Sequence, residues 1–292
     1  MEELNEFHQR IKKHFHRLTK SEKRIASYLL ADYEQAAFLA AADLAKHLEV
    51  SEATIVRFAR SIGYKSFPEM RRALQEIFRV KVTPAARLQS KLADLDSGEG
   101  HVLSKVIDME LQYLTEAEHS IDPAEFDRAL EILLDAPRVF VFGLGPASLL
   151  AELVEFRLRR FGIPVVTLVE SGRDILEKLL NLQRDDVVIA TAFHRVTGEL
   201  IALLDHAKKK KSRIILITDT LEPALKGRAD VILAARRGPV STFHSLTVPM
   251  AILNALILAI AKSRSKETTV KLERLQELRA SYGLDILDKS SL

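Results

Sequence analysis

Five short runs rich in β-branched and aromatic residues punctuate the second part of this chain, and stretches of helical period separate them. The runs lie at 139–142, 165–169, 187–191, 214–218 and 231–234, with helical stretches near 148–161, 173–181, 199–210, 221–227 and 245–263. A strand followed by a helix and another strand places the two strands parallel, because the crossover returns the chain to the same end of the sheet. Helices then cover both faces, so the strands read as continuous apolar runs. The pattern predicts an α/β region on a five-stranded, parallel, doubly wound sheet.

The first 80 residues are helical throughout. Residues 5–15 make one short helix, and residues 69–78 another. Thr19-Lys20-Ser21-Glu22 has the spacing of a capping box and opens a helix with Ile25, Tyr28 and Leu29 inward. Phe38 and Leu39 staple the next turn. Between Ala41 and Gly63 the chain reads as two helices joined by a tight turn. Leu44, Ala45 and Leu48 mark the first, and a break falls at Glu49-Val50. Ser51 caps the second, whose inner face is Ile55, Phe58, Ala59 and Ile62 at helical spacing; Gly63 stops it.

That pattern is a helix-turn-helix, whose second helix lies in the major groove with one face anchored and the other reading. The polar set is Ser51, Glu52, Thr54, Arg57 and Arg60, with Lys65 and Ser66 just beyond the helix. Residues at the helix start meet base edges, and Arg57 and Arg60 reach guanine or phosphate. The bland alternative is a helical hairpin with both arginines merely solvated. Charge favours DNA: residues 1–83 carry 15 Lys/Arg against 11 Asp/Glu, while residues 84–292 carry 28 against 29, within a chain total of +3.

The organisation expected is a helix-turn-helix domain over 1–80, a linker over 81–100 and an α/β domain over 101–292. Pro84 and the turn-rich 94–100 stretch mark the linker. Helices follow from Val102 to about His119 and from Asp122-Pro123 to near Asp135, and an amphipathic helix with Leu272, Leu275 and Leu278 closes the chain. The absence of cysteine removes disulfides, thiolate metal sites and a cysteine nucleophile. No apolar run is long enough to span a bilayer, the acidic N-terminal stretch lacks a signal core, and the scattered histidines lack metal-site spacing. The expectations are a cytoplasmic protein without membrane contact, cofactor or metal. Lys208–Lys211 suits the end of a helix.

Residues 18–30 (LTKSEKRIASYLL) and 43–74 (DLAKHLEVSEATIVRFARSIGYKSFPEMRRAL) resemble the RpiR family of bacterial transcription regulators. In that family a helix-turn-helix precedes a sugar isomerase (SIS) domain. The likeness continues through 139–162, 185–201 and 214–220. It implies strand order 2-1-3-4-5, so the loops after strands one and three meet at a ligand cleft beyond the strand ends. Those loops are Gly143–Ser148 and Thr191–Gly198.

Here the family pattern breaks. SIS domains that hold phosphosugars place a Ser after the first glycine pair and a Ser-x-Ser-Gly run after the third strand. This chain has Ala147, with Ser148 one position later, and then Thr191-Ala192-Phe193-His194-Arg195. Arg195 offers a bidentate partner for a phosphate or carboxylate in place of the lost hydroxyls. Gly143, Gly145, Ser148, Thr191, His194, Arg195, Thr218 and His244 are the effector-binding candidates, with Ser171, Ser241 and Thr242 nearby. The reading that results is a DNA-binding regulator, not an enzyme. It binds double-stranded DNA as a homodimer or tetramer and answers to a small anionic metabolite. The alternatives are a sugar-phosphate isomerase with a helical appendage, for which His194, His244, Glu170 and Glu199 are the acid–base candidates, and a SIS domain kept for oligomerisation alone.

Overall fold

Val139 and Val141 point to one face of the first strand, Phe140 and Phe142 to the other, and two apolar layers follow from that alternation. The computed structural model describes residues 2–37, 39–81, 84–96, 100–193, 196–219, 225, 227–237 and 244–284. Its strands are β1 (Val139–Gly143), β2 (Val165–Leu168), β3 (Val187–Ala192), β4 (Arg213–Thr218) and β5 (Val231–Ala234). They are all parallel, in the order β2-β1-β3-β4-β5. The order reverses at β1, so β1 and β3, which run in register from Val139 opposite Val187, carry their loops to the switch point.

Numbered along the chain, the helices are α1 (Glu2–His14), α2 (Lys20–Ala36), α3 (Ala41–His47), α4 (Glu52–Ser61), α5 (Phe67–Lys81), α6 (Pro84–Asp96) and α7 (Val102–Ser120). They continue with α8 (Pro123–Leu134), α9 (Ser148–Arg160), α10 (Asp174–Leu179), α11 (Gly198–Lys210), α12 (Thr247–Ser263) and α13 (Ser265–Ser281). Helices α8, α9 and α12 pack on the Val139 face of the sheet, through Leu133, Leu150, Val154 and Ile252 among others. Helices α10 and α11 cover the Phe140 face with Ile175, Leu179, Leu200 and Leu203.

The chain divides into two compact units, residues 1–109 with 237–245 and residues 110–236 with 246–292. The first has its own core, in which Phe7, Ile11, Ile25, Leu29, Leu44, Ile55, Phe58, Ile62, Met70 and Leu74 are fully buried. The second contains the sheet.

Two expectations need adjustment. The linker stretch is helical over most of its length: Pro84 starts α6 instead of breaking it, as its fixed φ permits at a first helical position. Leu88, Leu92 and Leu95 recur at helical spacing, and Lys105 of α7 donates to the Leu95 carbonyl. Residues 84–109 accordingly group with the first unit. The C-terminal helix forms as expected, yet Leu272 and Leu278 are exposed, and Thr268 is its buried residue. The helix expected at 221–227 and the Phe38 staple fall largely or wholly outside the described residues, although Leu39 is buried.

Candidate functional site

Helix α4 is fixed at both ends by local chemistry. The Ser51 hydroxyl accepts from the Thr54 N–H at 3.2 Å, which is an N-cap. At the other end Gly63 has φ +94°, the Gly63 N–H reaches the Arg60 carbonyl, and the Tyr64 N–H reaches Ala59. That pair of bonds is a Schellman stop, which needs a residue free to turn left-handed. Ile55, Phe58, Ala59 and Ile62 are fully buried, as the spacing predicted. Ser51, Glu52, Arg57 and Arg60 are exposed, and Thr54 is half-buried.

The outward side chains are linked to one another. Ser51 Oγ and Thr54 Oγ1 lie 2.8 Å apart, and an Arg57 Nη donates to Thr54 Oγ1 at 3.4 Å. The turn before α4 has Glu49 at φ +50° and a bond from the Val50 N–H to the Ala45 carbonyl. Arg24 of α2 clamps this turn by donating to the Leu48 carbonyl at 2.8 Å. Sequence reasoning missed Arg24, because nothing in its spacing announces a contact 24 residues away. Lys65 is exposed, whereas Ser66 caps α5 by accepting from the Glu69 N–H at 3.3 Å.

The capping box of α2 forms as read, and it does more than cap. Glu22 Oε2 accepts from the Thr19 N–H and hydroxyl, both at 2.9 Å, while Thr19 Oγ1 accepts from the Glu22 N–H. Glu22 Oε1 takes the Ser61 hydroxyl of α4 at 2.8 Å. Burial pushes the Glu22 carboxyl up, but the Thr19 and Ser61 hydrogen bonds and the nearby Arg57 charge together hold it below the usual carboxylate range.

At the strand ends of the sheet unit, Gly143 is buried where β1 meets a tight 3-10 turn at 145–147. Gly145 starts that turn at φ +58°. The turn consumes its own amides: Ala147 N–H bonds the Leu144 carbonyl, Ser148 N–H is taken by the turn, and Pro146 has no N–H. A helix N-terminus holds an anion with free amides, and those of Ala147 and Ser148 are already engaged. Ser148 is half-buried. The Thr191 hydroxyl donates to the Phe142 carbonyl at 2.8 Å and the Thr218 hydroxyl to Ala192 at 2.7 Å, both buried. Two hydroxyls expected to face a ligand thus tie neighbouring strands together.

Around them, Thr197 caps α11, and the Gly172 N–H donates to Glu199 at 2.9 Å, joining the loop after β2 to the first turn of α11. That bond, with others from its own N–H and Thr197, holds the Glu199 carboxyl below its ordinary range. Burial raises the Glu170 carboxyl, but the hydrogen bond and charge of Lys178, with the backbone N–H groups of Glu170 and Val169, together outweigh it and the net shift is downward. Ser171 is exposed. His194, Arg195, Ser241 and Thr242 lie outside the described residues, and His244 belongs to the first unit. No group of three or more His, Asp or Glu suited to a metal occurs among the described residues. No single described helix is long and apolar enough to cross a membrane.

Residues 5–80 match the model of the rpiR-family helix-turn-helix domain, and residues 132–259 match the SIS domain. The chain carries an rpiR-family helix-turn-helix domain followed by a SIS domain. Among its curated relatives, an uncharacterized HTH-type transcriptional regulator of Haemophilus influenzae is 26% identical over 227 residues, 74% of this chain and 75% of the relative. The HTH-type transcriptional regulator HexR of Escherichia coli is 27% identical over 217 residues, 74% and 73% of the two chains. Among solved structures, the Vibrio vulnificus NanR protein complexed with ManNAc-6P has TM-score 0.63 at 19% identity, covering 94% of this chain and 98% of that one. The sugar isomerase domain of an RpiR transcription factor from Sphaerobacter thermophilus gives 0.56 at 23%, covering 60% and 97%. At those identities the likeness is one of fold. The two matched domains are the ones the sequence resembled.

Proposed function

We propose that this protein is a bacterial transcription regulator that reads operator DNA with α4 and answers to a small anionic metabolite, a sugar phosphate or a carboxylate, bound by the sheet unit without catalysis. One observation carries the DNA reading. The helix is locked at both ends, its apolar side is fully buried, and its outward side presents Ser51, Thr54 and Arg57 already hydrogen-bonded in a row. An arginine held by a neighbour loses less side-chain freedom when it grips a guanine edge. Exposed Glu52, Arg60 and Lys65 complete the surface, with Ser66 and its capped helix start available to a backbone phosphate. A homodimer or tetramer would present two such helices to half-sites roughly 34 Å apart, or a multiple of that.

The non-catalytic reading is supported by the replacement of the sugar-fixing Ser-x-Ser-Gly run with Thr191-Ala192-Phe193-His194-Arg195, and by a helix-turn-helix domain that an isomerase does not need. The metabolite reading is supported by the switch point of the sheet, where Arg195 is the proposed anion partner, and by the likeness of fold to a NanR protein complexed with ManNAc-6P. A second reading, a sheet unit kept for oligomerisation, is favoured by the engaged hydroxyls of Thr191 and Thr218 and the engaged amides of Ala147 and Ser148.

Selection of the full chain against a pool of random duplexes tests the first part. Enrichment of one palindromic sequence supports operator reading, and enrichment of none overturns it. Sugar phosphates and small carboxylates added to the enriched complex test the second. A change in DNA affinity requires the ligand to prefer one of two states of the protein.

A further inference from the structure

We propose that Glu22 is a positioning residue for DNA reading, a strut that sets how α4 is held against α2; this deepens, and rests on, the assignment of α4 as the reading helix. A capping box asks only that the carboxylate return to the amide at the start of its own helix. Glu22 meets that demand with Oε2 alone, which takes both the Thr19 N–H and the Thr19 hydroxyl. Oε1 is left for another donor, and the donor is Ser61, the last residue of α4 and 39 residues away.

Glu22 is only 8% exposed, unlike an ordinary cap on a helix surface, although its partner Ser61 is exposed. A charged acceptor with three donors resists displacement, because hydrogen bonds to a charged group are stronger than those between neutral ones. Arg57 stands four residues before Ser61, on the same side of α4, and its charge acts on the carboxylate. Glu22 therefore fixes the C-terminal end of the reading helix and biases the arginine at its middle. Phosphate contacts tolerate a small rotation of such a helix; a fork of two bonds to a base edge does not, since binding geometry must be kept within about 0.5 Å and 10–20°.

Replacing Glu22 itself disturbs the α2 cap and the first unit's stability, so the decisive variant is Ser61→Ala, which removes only the crossing bond. Its partner is Ser61→Thr, which keeps the hydroxyl. Full-length protein is titrated onto the duplex that wild-type protein enriches and onto a shuffled duplex of the same length, at one salt concentration. The strut predicts that Ser61→Ala weakens binding to the enriched duplex about tenfold, a part of what a base-reading arginine supplies. Binding to the shuffled duplex stays unchanged, and Ser61→Thr recovers the loss. Equal affinities for wild type and Ser61→Ala on the enriched duplex overturn the proposal, as do equal losses on both duplexes. A wild-type protein that enriches no sequence overturns the DNA assignment itself, an outcome distinct from either.

Discussion

A first side-chain carbon added to Gly143 would stand 2.3 Å from the Ala147 carbonyl oxygen and 2.9 Å from the Thr191 hydroxyl. Backbone does not yield at such distances as a flexible side chain would, so the close passage of the 145–147 turn past the end of β1 requires glycine there. Gly143→Ala is expected to destabilise the sheet unit by about 1–3 kcal/mol through overpacking. Thermal unfolding of the full chain reads this directly; a melting curve superposable on wild type would mean that the turn shifts freely.

The cap of the reading helix makes a smaller prediction. Ser51→Ala removes the acceptor for the Thr54 N–H and one neighbour of the Thr54 hydroxyl. It should cost about 1 kcal/mol, and Ser51→Asp should restore most of it. Denaturant titration followed by helical circular dichroism checks both variants.

Acid should loosen the first unit through Glu22. Its carboxyl is held below the ordinary value of 4.5, so the stability it contributes is complete above that value and is lost as pH falls through the lower folded value. The melting temperature of wild type should therefore exceed that of Glu22→Gln at neutral pH, with the gap closing below pH 4.5. A gap that stays constant with pH would show that the carboxylate charge contributes nothing.

Ligand binding by the sheet unit should register as stabilisation. A metabolite present at a hundred times its dissociation constant adds about 2.7 kcal/mol to the folded state. A thermal-shift screen of sugar phosphates, amino sugars and small carboxylic acids should find one stabilising class, and Arg195→Ala should abolish the shift. Flat curves throughout, with DNA binding intact, would favour the oligomerisation reading.

The sheet was legible because its signals are local. The runs at 139–142 and 231–234 are apolar and β-branched, and the helices between them make the sheet parallel, while the strand order came from the family resemblance. The α4 segment was legible for the same reason: its cap, its inner face and its Gly63 stop all lie within 13 residues. Helix α6 was misread since Pro84 and the turn-rich 94–100 stretch outweighed the Leu88, Leu92 and Leu95 period between them. Thr191 and Thr218 were placed at the correct strand ends, but a hydroxyl's direction depends on the neighbouring strand's carbonyl, which sequence does not show. Arg24 and Ser61 reach across 24 and 39 residues, and no spacing rule connects such pairs.

The most direct test of the account compares the affinity of wild type and Arg57→Ala for the enriched duplex and for a shuffled one, at the same salt. If Arg57 reads a base, the variant loses about 1–3 kcal/mol on the enriched duplex and far less on the shuffled one. Equal losses on both would reduce Arg57 to a phosphate contact, and no loss on either would contradict the assignment of α4 as the reading helix.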